Sequence, residues 1–295
     1  MPRSTRESAM AEPAAATPGR WRAPWSGGRG ALLRRPAGII GVACATLVLA
    51  TAVLGPACAP FDPLTISGGS LTPPTPVHPM GTDALGRDVL SGVLYGARTS
   101  LGVAALATAV ALLLGTVVGM AAGYRGGLVD DVLMRLTALF QVLPRFFLVV
   151  TVVALLGPGS DRVILIIGLT SWPITARIVR GEVMATRHLD FTHAAEALGA
   201  TPWHIAWHQI LPNVRSTIAV SGGLLFAQIL LLDATLGFLG LGTPGMVSWG
   251  MMVAQAQGFL RVAWWLALFP GLAITLAVLG VNLLCDVFAS PRAAG

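Results

Sequence analysis

Three constellations in this 295-residue sequence have the residue types and spacing of chemical sites. Residues 240–245, GLGTPG, spell G-x-G-x-x-G, the pattern of a loop that cradles a pyrophosphate. Such a loop follows a strand, opens a helix and has an acidic residue about 20 positions later. Here it follows an apolar stretch and contains Pro244, so it reads as a flexible turn. His204 and His208 stand four apart, which puts two imidazoles on one helical face as a metal requires. No third ligand stands nearby, and Trp203 and Trp207 beside them suit an amphipathic interfacial helix better than a zinc site. Arg145 and Asp233 are charges inside otherwise apolar stretches, where a charge is costly and points to a functional role by default.

A missing residue type is equally informative. All 19 basic residues are Arg, and there is no Lys. A P-loop needs a Lys on the phosphates, so the chain does not bind ATP in that way. A Schiff-base lysine and a Ser-Lys dyad are excluded for the same reason. Cys44, Cys58 and Cys285 lie in or at the end of apolar segments without metal-type spacing, and they read as small buried apolar residues.

The elements that must position these groups are membrane spans. Apolar residues make up 55% of the chain and charged ones 11%, against about 25% charged in a soluble domain. Mean hydropathy is +0.75. Six apolar blocks of bilayer length are expected at 36–58, 100–123, 128–156, 162–180, 215–237 and 264–288. The first has the basic flank of a signal peptide, but the long tail before it favours a retained span. Residues 1–35, rich in Pro, Ala, Gly and Arg, are expected to be a disordered basic tail.

Six spans place both ends on one side. Arg3, Arg6, Arg20, Arg22, Arg29, Arg34 and Arg35 in the tail, then Arg125, Arg177, Arg180, Arg187, Arg215 and Arg292, fall on the side of the N-terminus. Only Arg87, Arg98, Arg162 and Arg261 fall opposite, so both termini are expected in the cytoplasm. Topology therefore accounts for the net charge of +6, and no nucleic-acid partner is implied.

Two hydrophilic segments remain. In the external one, residues 59–98, Thr82 or Asp83 is placed to cap a helix with Leu85, Val89, Leu90, Val93 and Leu94 at helical spacing. That helix is expected to lie in the outer interface, apolar face down. The internal one, residues 181–214, predicts a helix stopped by Gly199. A second helix follows, capped by Thr201, opened by Pro202 and ended by Pro212.

A helix, a tight turn and a helix between two spans has the shape of a lever that fits a groove on another protein. This loop resembles the coupling loop of binding-protein-dependent ABC importer permeases, whose motif is roughly EAA, three residues, Gly, nine residues, Ile, one residue, Leu-Pro. Ala194 and Ala195 match the paired alanines, Gly199 the glycine, and Leu211 and Pro212 the ending. His193 stands where that family usually has Glu, Glu196 follows the alanines, and Gln209 replaces a common His. HPMGTDALGRDVLSGVLYGARTSL, GYRGGLVDDVLMR, LGFLGLGTPGMVSWGMM and WWLALFPGLAITLAVLGVNLL are similar, in the same order, to the peptide and nickel subgroup, second-permease type.

The resemblance implies an all-α integral membrane protein of the type I ABC importer permease fold, with six transmembrane helices, a cytoplasmic coupling helix and an external amphipathic helix. It divides the chain into a tail (1–35), a first span with its external segment (36–98), a permease domain (99–288) and a short tail (289–295). It further implies a second homologous permease, two ATPase domains that hold ATP and Mg, and an external binding protein. No cofactor and no catalysis belong to this chain, whose place is the bacterial inner membrane. Peptide is the leading substrate. Chelated nickel, haem, another small solute, a channel and a polytopic membrane enzyme are the alternatives.

Within the pathway, Arg145 and Asp233 lie about 26 and 27 Å from the inner ends of straight spans. An ion pair, two unpaired groups facing the aqueous pathway, and snorkelling all fit those depths. Gln141, one turn before Arg145, is placed to line the same pathway or to bond a neighbouring helix. Asp286 matches a frequent family acid and is expected to order the C-terminus.

Overall fold

The structure, a computed structural model, describes residues 36–289 except 143, 158 and 244. The expected tail at 1–35, the residues after 289 and the side chain of Asp286 lie outside the described residues. The described residues form helices and turns, with Thr82 and Asp88 making one isolated bridge. We label the helices α1 (Pro36–Cys58), α2 (Val89–Arg125), α3 (Gly127–Val142), α4 (Arg145–Leu156), α5 (Ser160–Arg187), α6 (Asp190–Ala197), α7 (Pro202–Phe238), α8 (Trp249–Ala256) and α9 (Trp265–Ala289).

Helices α1, α2, α5, α7 and α9 are each long and apolar enough to cross a bilayer, and α3 with α4, bent between them, make a sixth when the pair is counted as one span. Leu49, Val53, Leu113 and Leu155 are exposed, a surface suited to lipid or to an apolar partner. Gly41 near the start of α1 lies against Leu283 and Leu284 of α9, so both ends of the described chain share one face. Residues 181–214 occupy that face too, because Arg187 donates to the Tyr124 carbonyl at the end of α2.

Three expectations about the helices are corrected. The external helix does not start at residue 82 or lie in the interface by itself; helix begins at Val89 and continues without a break as α2. The Asp83 carboxylate accepts the Leu85 and Arg87 N–H groups, each at 2.8 Å, and so closes a turn. Gly86 holds φ +77°, and Asp88 supplies the cap by accepting the Ser91 N–H at 2.7 Å.

The third span is not straight, since the axes of α3 and α4 differ by 73°. Pro144, the residue before α4, has no N–H to give the preceding turn, and its ring excludes the carbonyl four residues back. Nor does Pro212 end a helix. A π segment, Ala206–Ile210, precedes it and carries the helix on, so the second half of the loop and the fifth span are one rod, α7. Widening the turn accommodates the ring where an α-helix would clash.

The core is made of small residues on α2 against larger ones elsewhere. Ala97, Ala104, Ala107 and Ala111 are buried with Ile167 of α5, Leu225 and Ile229 of α7, and Trp249 of α8. Cys285 is buried and Cys44 half-buried, but Cys58, at the end of α1, is exposed rather than buried as expected.

Candidate functional site

Residues 181–214 contain the predicted turn, but residues up to Arg187 continue α5, and a break at His188 and Leu189 that the sequence did not predict separates them from α6. Helix α6 stops where Gly199 takes φ +82°, the left-handed conformation that costs glycine little. The Gly199 N–H donates to the Glu196 carbonyl and the Ala200 N–H to the Ala195 carbonyl, both at 3.0 Å, which closes the turn. Thr201 then accepts the His204 N–H on its hydroxyl at 3.3 Å, and Pro202 opens α7.

The turn splits the loop into two faces. Thr192 and Ala195 of α6 point inward, and Ala195 packs with Val179 and Val183 of α5 and with Ile205, Ile210 and Val214 of α7. Phe191, His193, Ala194, Glu196 and Leu198 face outward, the Leu198 side chain being 88% exposed and Trp203 72%. The His193 Nδ1 stands 3.6 Å from the Glu196 carboxylate across one helical turn. Leu211 and Pro212 are half-buried at the junction of loop and span. The His204 and His208 rings stack with centroids 4.4 Å apart, and among the described residues no group of three metal-ligating side chains forms.

Behind the loop lies a layer that sequence reasoning missed. Arg180 of α5 donates through Nε and Nη2 to both carboxylate oxygens of Asp130, in the first turn of α3. Two turns nearer the loop, the Arg187 Nη1 donates to the Tyr124 carbonyl at 2.6 Å and its guanidinium lies 5.5 Å over the Tyr124 ring. Underneath, α2 and α5 meet through Gly115, Gly119 and Gly123, where a Cβ would come within 2.6 to 2.8 Å of α5 atoms. The spacing of four in GTVVGMAAG was a readable signal for such a contact. No sequence signal pairs Asp130 with Arg180.

The proposed pathway residues are less closely grouped. No ion pair joins Arg145 to Asp233 among the described residues, so the pairing expected as one option does not form. Arg145 is half-buried in the first turn of α4. Asp233 is half-buried beside Thr99, Ser160 and Ser248 around a small gap. Gln141 is exposed on α3, across the 73° bend from Arg145, so the two stand on different helices and not one turn apart on a single one.

The opposite face is ordered around His78. Its Nδ1 lies 2.9 Å from the buried Asp88 carboxylate, which also accepts the Ser91 hydroxyl at 2.7 Å. Trp265 donates its Nε1–H to the Thr82 carbonyl at 3.2 Å, tying α9 to this segment. Residues 240–243 and 245 form a turn after α7, and Trp249 of α8 is buried against Gly96 of α2, donating to the Val93 carbonyl at 2.9 Å. A cavity of about 560 Å³ lies between this segment and α8.

Comparison with known proteins decides what kind of molecule this is. Residues 115–290 match the family described as binding-protein-dependent transport system inner membrane component. The chain belongs to that family. Among its relatives, this inner membrane component is 36% identical over 265 residues to the dipeptide transport system permease protein DppC of Alkalihalophilus pseudofirmus, covering 89% of this chain and 87% of that protein. It is 36% identical over 248 residues to the di/tripeptide transport system permease protein DppC of Pseudomonas aeruginosa, 81% and 82% of the two chains. It is 37% identical over 214 residues to the glutathione transport system permease protein GsiD of Pectobacterium atrosepticum, 72% and 71% of the two. As an inner membrane component it is a multi-pass permease, and the matched region contains the bent span, the loop and α7 to α9.

Proposed function

We propose that this chain is one of two permeases of an ATP-driven ABC importer and forms half of a translocation pathway for di- or oligopeptides. The observation that carries the reading is the loop at residues 190–213. A turn at Gly199 presents Leu198 and Trp203 outward while Ala195 anchors α6 to α5 and α7. Exposed apolar anchors on a helix fixed from behind are what a groove on a second protein grips. His193, Ala194, Ala195, Glu196, Gly199, Leu211 and Pro212 are the residues assigned to this coupling.

The partners in this reading are a second homologous permease, two ATPase domains and an external substrate-binding protein. ATP and Mg belong to the ATPase domains, since this chain has no Lys for a P-loop. The membrane is the bacterial inner membrane with both termini cytoplasmic, which the Arg distribution supports. Residues 1–35 and 289–295 are then cytoplasmic tails, 36–98 the first span with its external segment, and 99–288 the permease domain. Closure of the ATPase pair on ATP moves the docked loop and its attached spans, and the pathway changes the side on which it is open. Gln141, Arg145 and Asp233 are assigned to the pathway wall as unpaired groups. Peptide is the substrate class because relatives along most of the chain are peptide permeases by name.

The test is gentle detergent purification of the chain at native expression, followed by reconstitution and uptake of the dipeptide Ala-Ala. Recovery of a second six-span permease and a P-loop ATPase, with ATP-dependent uptake, is expected. Recovery of the chain alone, even with hydrolysis blocked, sinks the reading.

A further inference from the structure

The loop face contains a mechanical connection that runs past the loop itself. Helix α5 leads into α6 through only His188 and Leu189, so the end of α5 is the root of the loop. From that root Arg180 and Arg187 both reach the turn between α2 and α3, one to Asp130 and the other to Tyr124. The turn reverses the chain through Gly126 and Gly127, whose φ values are +65° and +54°. Gly119 and Gly123 hold the α2 and α5 backbones in contact directly beneath. The end of α2, the start of α3 and the end of α5 therefore form one block attached to the loop.

Helix α3 leaves this block and ends at Val142, next to the 73° change of axis into α4. The block is stiff and the break is where direction changes, so a displacement of the loop that reaches α3 is expressed at Gln141 and Arg145. The Asp130–Arg180 contact is suited to pass it on. Two parallel N–H to oxygen bonds fix the angle between the helices as well as their distance, which a single point charge does not. The side chains are 30% exposed for Arg180 and 13% for Asp130, so the contact is largely shielded from water.

We propose that Asp130 and Arg180 are positioning residues that transmit movement of the 181–214 loop to the first half of the broken span, and so to the pathway wall at the break. This rests on the coupling reading above, but it concerns a different contact. If the pair served only assembly, its loss would reduce folding and leave the movement of any folded complex unchanged.

The test uses the full complex with its partner permease and ATPase, and needs no substrate. With Cys44, Cys58 and Cys285 replaced by Ala, spin labels are placed on Leu139→Cys in α3 and Leu279→Cys in α9, both exposed positions. Distances are measured with and without ATP under conditions that block hydrolysis. The wild-type pair is expected to show an ATP-dependent shift. In Asp130→Asn and in Arg180→Lys, which keeps the charge but loses the fork, the shift is expected to fall by half or more while the ATPase still co-purifies. The exchange Asp130→Arg with Arg180→Asp is expected to recover part of it.

An unaltered shift in either single variant overturns the proposal. So does an Asp130→Asn chain that fails to assemble while Arg180→Lys moves as wild type does, because the pair is then structural only. Failure of the wild-type complex to retain the ATPase, or to shift at all, overturns the coupling reading and this proposal with it.

Discussion

Gly119 of α2 lies so close to Ala176 of α5 that a Cβ on the glycine would stand 2.6 Å from the Ala176 carbonyl oxygen. The obstacle is backbone, which cannot rotate away as a side chain can. Gly119→Val therefore forces α2 and α5 apart along the length that also contains Gly115 and Gly123. Overpacking of this kind costs about 1–3 kcal/mol. We expect a lower detergent melting temperature than for Gly102→Val, a helical glycine with nothing within 4 Å. Equal melting temperatures for the two variants would count against the contact.

Gly199→Pro is expected to abolish ATPase retention, because Pro fixes φ near −65° and the turn requires +82°. Gly199→Ala should act more weakly, with about 1–2 kcal/mol of left-handed strain and open space around the new methyl. Co-purification of the ATPase with each variant measures this. Full retention in Gly199→Pro ends the coupling assignment.

Leu198 and Trp203 are exposed, so removing them should leave the fold intact and weaken docking. Leu198→Asp and Trp203→Ala are each expected to lower ATPase affinity about tenfold or more, as loss of an anchor of 1.4 kcal/mol or greater does. The melting temperature of the isolated chain should not change. Binding of the purified ATPase to each variant in nanodiscs checks both halves of the statement.

Arg145 and Asp233 form no ion pair, so their contributions should add. In a cycle of Arg145→Gln, Asp233→Asn and the double variant, coupling of transport rates below about 0.5 kcal/mol is expected for independent sites. A double variant that transports better than either single one would show that the two charges do meet during turnover.

Asp88 joins three groups on the opposite face: the Ser91 N–H, the Ser91 hydroxyl and His78. Asp88→Ala removes the helix cap, worth about 1 kcal/mol, and leaves buried polar partners unmet at about 1–3 kcal/mol more. Asp88→Asn retains an acceptor and should recover part of the loss. Chemical denaturation in detergent, compared across the two variants, reports the difference.

Much of this protein was legible in its sequence because the governing interactions are local. The apolar blocks gave the spans, and Gly199, Thr201 and Pro202 gave the loop turn, whereas the external cap was read as Thr82 or Asp83 and belongs to Asp88. Proline was misleading in both directions. Pro212 stops a helix by local rules but is absorbed by a π segment once α7 is anchored at Ile205, Ile210 and Val214. Pro144, set in an apolar run of bilayer length, instead divides that run into two helices at 73°.

The sequence by itself determined the environment and the loop. Span length and capping chemistry each depend on residues within a few turns of one another. Only the tertiary structure decided that Asp130 meets Arg180 fifty positions away while Arg145 and Asp233 do not meet. The reason is geometric. Depth in a span follows from counting residues, but a contact between side chains depends on helix rotation, bend and approach, and here the glycines of α2 and the break at Pro144 set all three.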